Sequence, residues 1–428
     1  MLSQHKHFFR NRLIFNKTKK IRNVSVGLKL TAIIKNDGVS ANYRFALNSG
    51  CMKIIFIHPN NIFNVQGSTE PYYVYKYLRN RYHIITLINS NQDNKAKSIF
   101  RRVFLLRWTP LWLFWDIKSL IRVLSLRFEI GDIVWTYRGI ILTPLFLRWR
   151  YRCKWVSDFR TPPIEQEIEF SKIRHTFGVA KFIYYGIMKF IYKKCLRLAH
   201  KVIVITPLLR DYMVGKYSIP INHIFVLEQG VDLERFIAKK RQKFNPYEPR
   251  LIIVSPVAPE RGLECLLYAI KILVDKGLNP KVSFVGAGSQ VDVNTLKELS
   301  RKLSLYTQIE WKGYVAHDEM PALLSDHDFG LSYVPDLLSY RMSSPTKVFE
   351  YLAVGLAVIA SDILAHRAII KDRHNGVLVK PGDPEAWADS IEELCKDEKK
   401  RVAIQCRARE SVRKHDWNNK IAELITNL

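Results

Sequence analysis

The residues best suited to hold a phosphorylated ligand lie in one stretch, Ser343-Ser344-Pro345-Thr346-Lys347-Val348-Phe349-Glu350. It continues through Tyr351-Leu352-Ala353-Val354-Gly355 into the apolar run Leu356 to Ala360. The order reads as loop, helix, glycine and buried strand. A helix opening at Thr346 and Lys347 would offer backbone N–H groups and the positive end of its dipole to an anion. Glu350 stands one turn further in, where a carboxylate can accept hydrogen bonds from two ribose hydroxyls. In isolation the same stretch also describes a capped helix with a surface glutamate, so its surroundings must decide.

Other polar positions follow apolar strands. Asp158-Phe159-Arg160 comes after Lys154-Trp155-Val156, and Tyr137-Arg138-Gly139 after Ile133-Val134-Trp135. Gly67-Ser68 comes after the first strand and before a helix-like stretch, and a plain turn is its simplest reading. Asp158 and Arg160 also suit a loop ion pair. Asp326-His327-Asp328 has the residue types of a cation site. It directly precedes a buried strand, where a helix ends, so no metal is expected there.

The elements that must position these residues alternate. Strands are predicted at residues 53–57, 83–88, 133–135, 154–156, 202–205 and 224–227, with helical stretches between most of them. The pattern restarts with strands at 251–254, 282–285, 309–311, 329–333 and 357–360. Helices are predicted at 262–276, 292–303, 319–324, 346–354 and 384–395, and a last one at 417–428. Such alternation implies an α/β fold of two Rossmann-like domains, each with a parallel sheet covered on both faces. Open sheets bind ligands at the carboxyl ends of their strands, so the cleft between two such domains is the natural site. The expected boundaries are a basic extension over 1–51, a first domain over 52–235, a linker over 236–245, a second domain over 246–416 and a closing helix over 417–428. Residues 1–51 show no sustained periodicity; they read either as a disordered basic tail or as sequence upstream of a start at Met52.

The charge is uneven. Of the net +28, residues 1–51 hold +9, residues 52–235 hold +16, and residues 246–428 hold −1. Two basic stretches carry interleaved aromatics, one over residues 100–128 and one over residues 181–201. Aromatics beside cations suit an anionic membrane surface, and they also suit ordinary core helices with solvated basic faces. No nucleic-acid recognition motif accompanies the charge, so nucleic acid is not expected as a partner. No run reaches the ~18 apolar residues of a spanning helix. Six scattered cysteines without C-x-x-C spacing fit a reducing cytoplasm better than a zinc site or a disulfide framework.

In this context the donor stretch resembles the nucleotide-sugar segment of glycosyltransferase family 4, the retaining group with the GT-B fold. Five further runs resemble that family in the same order: V-L-E-Q-G-V-D-L-E-R-F, V-S-F-V-G-A-G-S, I-E-W-K-G-Y-V, L-L-S-D-H-D-F-G-L-S and N-G-V-L-V-K-P-G-D-P-E-A-W-A. The resemblance spans about residues 52–425. It implies that Glu350 binds the ribose, that Ser344, Pro345, Thr346 and Lys347 cradle the diphosphate, and that Arg261-Gly262 and the loop at Gly286 complete the donor site. Gly67 and Ser68 would form an acceptor-side loop, and Asp158, Arg160 and Arg138 would stand near the reacting groups. The resemblance also implies sugar transfer with retention and without metal or cofactor, the nucleotide sugar being a co-substrate. The acceptor would be a lipid-linked or growing surface glycan at the inner face of the cell membrane. Two positions depart from the pattern. The family's two glutamates stand eight positions apart, and the first falls on Met342; its partner arginine falls on Pro256. Two alternatives therefore stay open: an enzyme of the same fold resembling UDP-N-acetylglucosamine 2-epimerase, and a catalytically silent partner subunit.

Overall fold

A computed structural model describes residues 32–34, 53–58, 73, 74, 76, 78, 83–88, 116, 117, 119–121, 123, 124, 126–137, 140–237 and 243–427. Two parallel sheets organise them. The first has the order β1-β3-β2-β4-β5-β6-β7, with β1 Ala32–Ile34, β2 Lys53–His58, β3 His83–Ile88, β4 Ile133–Tyr137, β5 Lys154–Phe159, β6 Lys201–Val204 and β7 Ile224–Val226. The second has the order β10-β9-β8-β11-β12-β13, with β8 Arg250–Val254, β9 Lys281–Val285, β10 Ile309–Gly313, β11 Phe329–Ser332, β12 Ala357–Ser361 and β13 Val377–Val379. Every strand pair in both sheets is parallel.

Side-chain alternation explains why these runs are continuously apolar. Along β2, Ile54 and Phe56 join a cluster with Ile133, Trp135 and Val156. Ile55 and Ile57 join another with Val134 and Leu147. A strand buried on both faces has no room for polar alternation. Each buried side chain of this size stabilises the fold by roughly 1.5–3 kcal/mol.

The two halves exchange segments. Val231 and Phe236 pack into the second domain's cluster with Val348, Tyr351 and Val358. In return the closing helix Trp417–Asn427 packs Trp417, Ile421 and Leu424 against Ile54, Phe56 and Trp135 of the first domain. The Trp417 ring stacks 5.3 Å from Tyr73. The linker expected over 236–245 is thus held at both ends, since Phe244 also packs on the second domain.

Several elements lie outside the sequence-based assignment, among them the short helices Leu338–Arg341 and Leu364–Arg367. Ala32–Ile34, within the extension expected to lack structure, pairs in parallel with β3. Strand β13 is only three residues long. Helix Glu398–Ser411 contributes only Arg401, Ile404 and Ala408 to the interior. The Arg401 guanidinium lies 3.5 Å from the Phe244 ring centroid and donates to the Leu394 carbonyl at 3.0 Å. Arg409 donates to the carbonyls of Phe236, Ala353 and Leu233. The helix docks largely through guanidinium groups, which a search for apolar periodicity does not register.

Candidate active site

The helix Thr346–Ala353 connects β11 to β12, and its Tyr351 hydroxyl accepts from Val254 N at the carboxyl end of β8 at 2.9 Å. Gly286 leaves β9 against the end of β8. A Cβ there would stand 1.8 Å from the Ser255 carbonyl oxygen and 3.5 Å from the Pro256 nitrogen. The two loops continue the ladder of their strands: Ser255 N donates to Val285 O at 2.9 Å and Val257 N to Ala287 O at 3.0 Å. Pro256 stands between the two donors, at the position where no N–H is needed. Gly286→Ala is therefore expected to destabilise the protein by about 2–4 kcal/mol, because backbone must move to admit the methyl group. An unchanged urea midpoint would show that the two loops are not pressed together.

Arg261 closes the short turn Pro259–Arg261, and Gly262 follows in the left-handed region at φ +58°. A Cβ on Gly262 would lie 3.3 Å from the Tyr333 ring, so lack of a side chain serves both conformation and packing. The Arg261 guanidinium lies 4.9 Å from the Tyr340 ring centroid. Lys347 opens the donor helix, which begins at Thr346 after Pro345. Burial, and then the neighbouring charge of Arg261, push the Lys347 ammonium down to about 7, against the pull of Glu350. Arg261 and Glu350 are thus both near enough to act on the charge of Lys347.

Glu350 is buried rather than on the surface, and its Oε1 lies 2.9 Å from His317 Nε2. The His317 ring packs against Phe236 at 5.5 Å, while Glu350 Oε2 has no protein partner among the described residues. Sequence reasoning missed His317; nothing in A-H-D-E-M marks it. It also missed His366, whose ring bridges Ser332 Oγ at 3.2 Å and the Ser361 carbonyl at 2.6 Å. Burial holds His366 down to about 4, so the ring is neutral at physiological pH.

The departure at Met342 has a structural meaning. Its side chain is buried in the first domain's cluster with Trp155, Leu209 and Met213. Its carbonyl accepts from Thr206 Oγ1 at 2.8 Å. The glutamate position of the family is here a plug between the domains. Further contacts cross the same seam. The Glu169 carboxylate accepts from Leu338 N at 2.8 Å and Ser339 N at 3.0 Å. Arg174 pairs with Glu260 through Nε and through Nη2. Within the second domain, Tyr340 donates to the Glu260 carbonyl at 3.2 Å and so ties the two sides of that contact surface together. A cavity of about 300 Å³ lies at this seam, with Thr206, Leu208, Ser343, Ser344 and Phe349 in its wall.

Asp158 and Arg160 form a buried ion pair, with Arg160 Nη2 and Nε each 2.9 Å from carboxylate oxygens and Trp135 Nε1 donating at 3.3 Å. Burial pushes the Asp158 carboxyl up, against the pull of the Trp135 hydrogen bond, and pushes the Arg160 guanidinium down. Asp158 stands near the carboxyl end of β5, and Arg160 follows that strand directly. Arg138, Gly67 and Ser68 lie outside the described residues. Asp328 is engaged by Arg250 and His327 by the Leu323 carbonyl.

Comparison with known proteins places this geometry. Residues 72–235 match the model described as Glycosyltransferase Family 4, and residues 234–411 match the model of Glycosyl transferases group 1. The D-inositol 3-phosphate glycosyltransferase of Salinispora tropica is 26% identical over 232 residues, 50% of this chain and 47% of that one. The phosphatidyl-myo-inositol mannosyltransferase of Mycolicibacterium smegmatis is 26% identical over 201 residues, 46% of this chain and 50% of that one. The chain spans about half the length of these relatives. Among solved structures, sucrose-phosphate synthase from Thermosynechococcus elongatus superposes with a TM-score of 0.67 at 15% identity, covering 88% of this chain and 98% of that one. The Anabaena protein HepE, in complex with UDP and glucose, superposes with a TM-score of 0.64 at 16% identity, covering 88% and 100%. These likenesses show the fold, two Rossmann-like domains in the GT-B arrangement.

Proposed function

Because the chain belongs to glycosyltransferase family 4, with the GT-B fold, we propose that it moves a sugar, of hexose type, from a nucleoside-diphosphate donor to a lipid-linked or growing glycan acceptor, with retention. The carrying observation is the convergence of Arg261 and Lys347 at the head of the Thr346–Ala353 helix, with Glu350 one turn behind them. As the acceptor hydroxyl oxygen bonds to the anomeric carbon, the bond from that carbon to the diphosphate breaks, negative charge grows on the leaving oxygens, and one of them takes up the hydroxyl proton. Fixed cations and helix amides stabilise that charge more in the transition state than in the ground state. The same two cations supply the neutralisation that a metal ion would otherwise give, so the proposal includes neither metal nor cofactor. The Glu350 carboxylate oriented by His317 is the ribose acceptor in this reading. The UDP and glucose held by the structural neighbour HepE support a nucleotide-sugar donor.

The test separates charge from base. Arg261→Ala is expected to weaken UDP, GDP or ADP, whichever the wild type binds, more than the matching nucleoside in isothermal titration. Hydrogen bonds to charged groups contribute about 1.5–3 kcal/mol, and the nucleoside carries no phosphate to lose them. Equal losses for both ligands would reduce Arg261 to a folding role. The burial of Met342 between the domains favours one competing reading, a silent subunit that binds no nucleotide. An epimerase-like enzyme would convert the sugar nucleotide with no acceptor present. A donor-hydrolysis and acceptor screen distinguishes all three.

A further inference from the structure

Three neighbouring helical segments cover one face of the first sheet. Register shows that the face is shared: Ile55 pairs with Val134, and Val134 pairs with Trp155, so these side chains point the same way. Val123 and Leu147 pack on Ile55 and Val134. Ile141, Tyr185, Met188 and Tyr192 pack on Trp155. The helical residues 116, 117, 119–121 and 123, helix Leu142–Tyr151 and helix Val179–Cys195 therefore form one layer.

The outward side of this layer is apolar and basic at once. Helix Val179–Cys195 buries Tyr185, Met188 and Tyr192 and exposes Phe182 (67%), Ile183 (56%), Ile187 (54%) and Phe190 (62%) on its other side. Trp149 on the middle helix is 79% exposed, and Ile121 on the third segment is 64% exposed. Monomeric proteins rarely leave so many large side chains in water together. Cations border them. Arg148 and Arg150 flank Trp149, and Lys193, Lys194 and Arg197 are exposed at the end of the long helix. The Lys194 ammonium sits 5.6 Å from the Phe190 ring. No acidic residue lies between Glu169 and Asp211. No helix of the described residues is long and apolar enough to cross a membrane.

We propose that this layer seats the protein on an anionic lipid surface. The stripe from Phe182 to Phe190 enters the boundary between headgroups and acyl chains, and Lys193, Lys194, Arg197, Arg148 and Arg150 meet lipid phosphates. A second copy of the chain is the poorer occupant, since it would bring two cationic faces together. Lys189, which the sequence groups with the other cations, is excluded because its half-buried ammonium is already paired with Glu165 Oε1 at 2.7 Å. The inference concerns where the chain sits and does not rest on the donor chemistry.

Co-sedimentation of the full chain with vesicles tests it, using phosphatidylcholine alone and phosphatidylcholine mixed with phosphatidylglycerol. Wild type should pellet with the mixed vesicles and release as salt rises. The triple variant Lys193→Gln, Lys194→Gln, Arg197→Gln should lose on the order of a hundredfold in affinity, from about one kcal/mol-scale contact per cation. The double variant Phe182→Gln, Phe190→Gln should lose binding while its urea midpoint and nucleotide binding match wild type. Failure of wild type to pellet, equal binding to neutral vesicles, or unchanged binding by both variants would overturn the proposal. So would a dimer in sedimentation equilibrium that dissociates in the Phe182 and Phe190 variant without any lipid binding.

Discussion

Replacing Lys347 by methionine is expected to weaken nucleoside diphosphate binding by roughly 10- to 100-fold at pH 7, the scale of one lost charge-assisted contact. The fold should survive, because methionine fills a half-buried site at the head of a helix without leaving an unpaired charge. Wild type should also show a pH dependence that the variant lacks. In the free protein, burial and Arg261 hold the Lys347 ammonium down to about 7. A bound diphosphate favours the charged form and raises it. Below pH 7 the ammonium is already charged, and binding takes up no proton. Above pH 7 binding must draw one in, so affinity should fall by up to about tenfold per pH unit. The ligand's own terminal phosphate, ionising near pH ~6, is dianionic through this window and adds no opposing slope. Titration at pH 8 in buffers of different ionisation enthalpy should report proton uptake by wild type and none through this site by the variant. A flat wild-type profile from pH 7 to 9 would place Lys347 away from the phosphates.

Met342→Glu, which restores the family's usual residue, is expected to damage the protein rather than improve it. Met342 is buried among Trp155, Leu209 and Met213 of the opposite domain. A carboxylate there must either stay in an apolar seam or force the seam apart, a loss of about 2–4 kcal/mol. Thr206, whose hydroxyl bonds the Met342 carbonyl and caps the helix Pro207–Tyr217, would be displaced with it. The expected result is a lower urea midpoint together with weaker nucleotide binding, since Ser343 and Ser344 follow directly in the chain. Met342→Leu conserves the volume and should stay within ~1.5 kcal/mol of wild type. If Met342→Glu matched wild-type stability and raised turnover, the residue would be a lapsed catalytic position and not a plug.

Much of the local order of this chain was legible because most elements carry their own periodicity, helix Glu398–Ser411 being an exception. Runs such as Lys53 to Ile57 and Ala357 to Ala360 are too short and too apolar for anything but strands buried on both faces, and the helices between them make the sheets parallel. The loop, helix and glycine around Lys347 and Glu350 were readable for the same reason, since an anion site at a helix N-terminus is a local feature. Pairings between distant side chains were not. His317 reaches Glu350 only because the turn that follows β10 meets the helix Thr346–Ala353. Asp158 and Arg160 read equally well as reacting groups or as an ion pair, and only the fold shows Trp135 of the neighbouring strand bonded to the same carboxylate. Met342 looked like a missing acid, and only the docking of two domains shows what an apolar side chain does there. The exposed stripe on helix Val179–Cys195 had the composition of a core helix. Which of its apolar residues face inward depends on the sheet it packs against, and a one-dimensional pattern of aromatics and lysines cannot tell a helix with one buried face from a helix with two apolar ones.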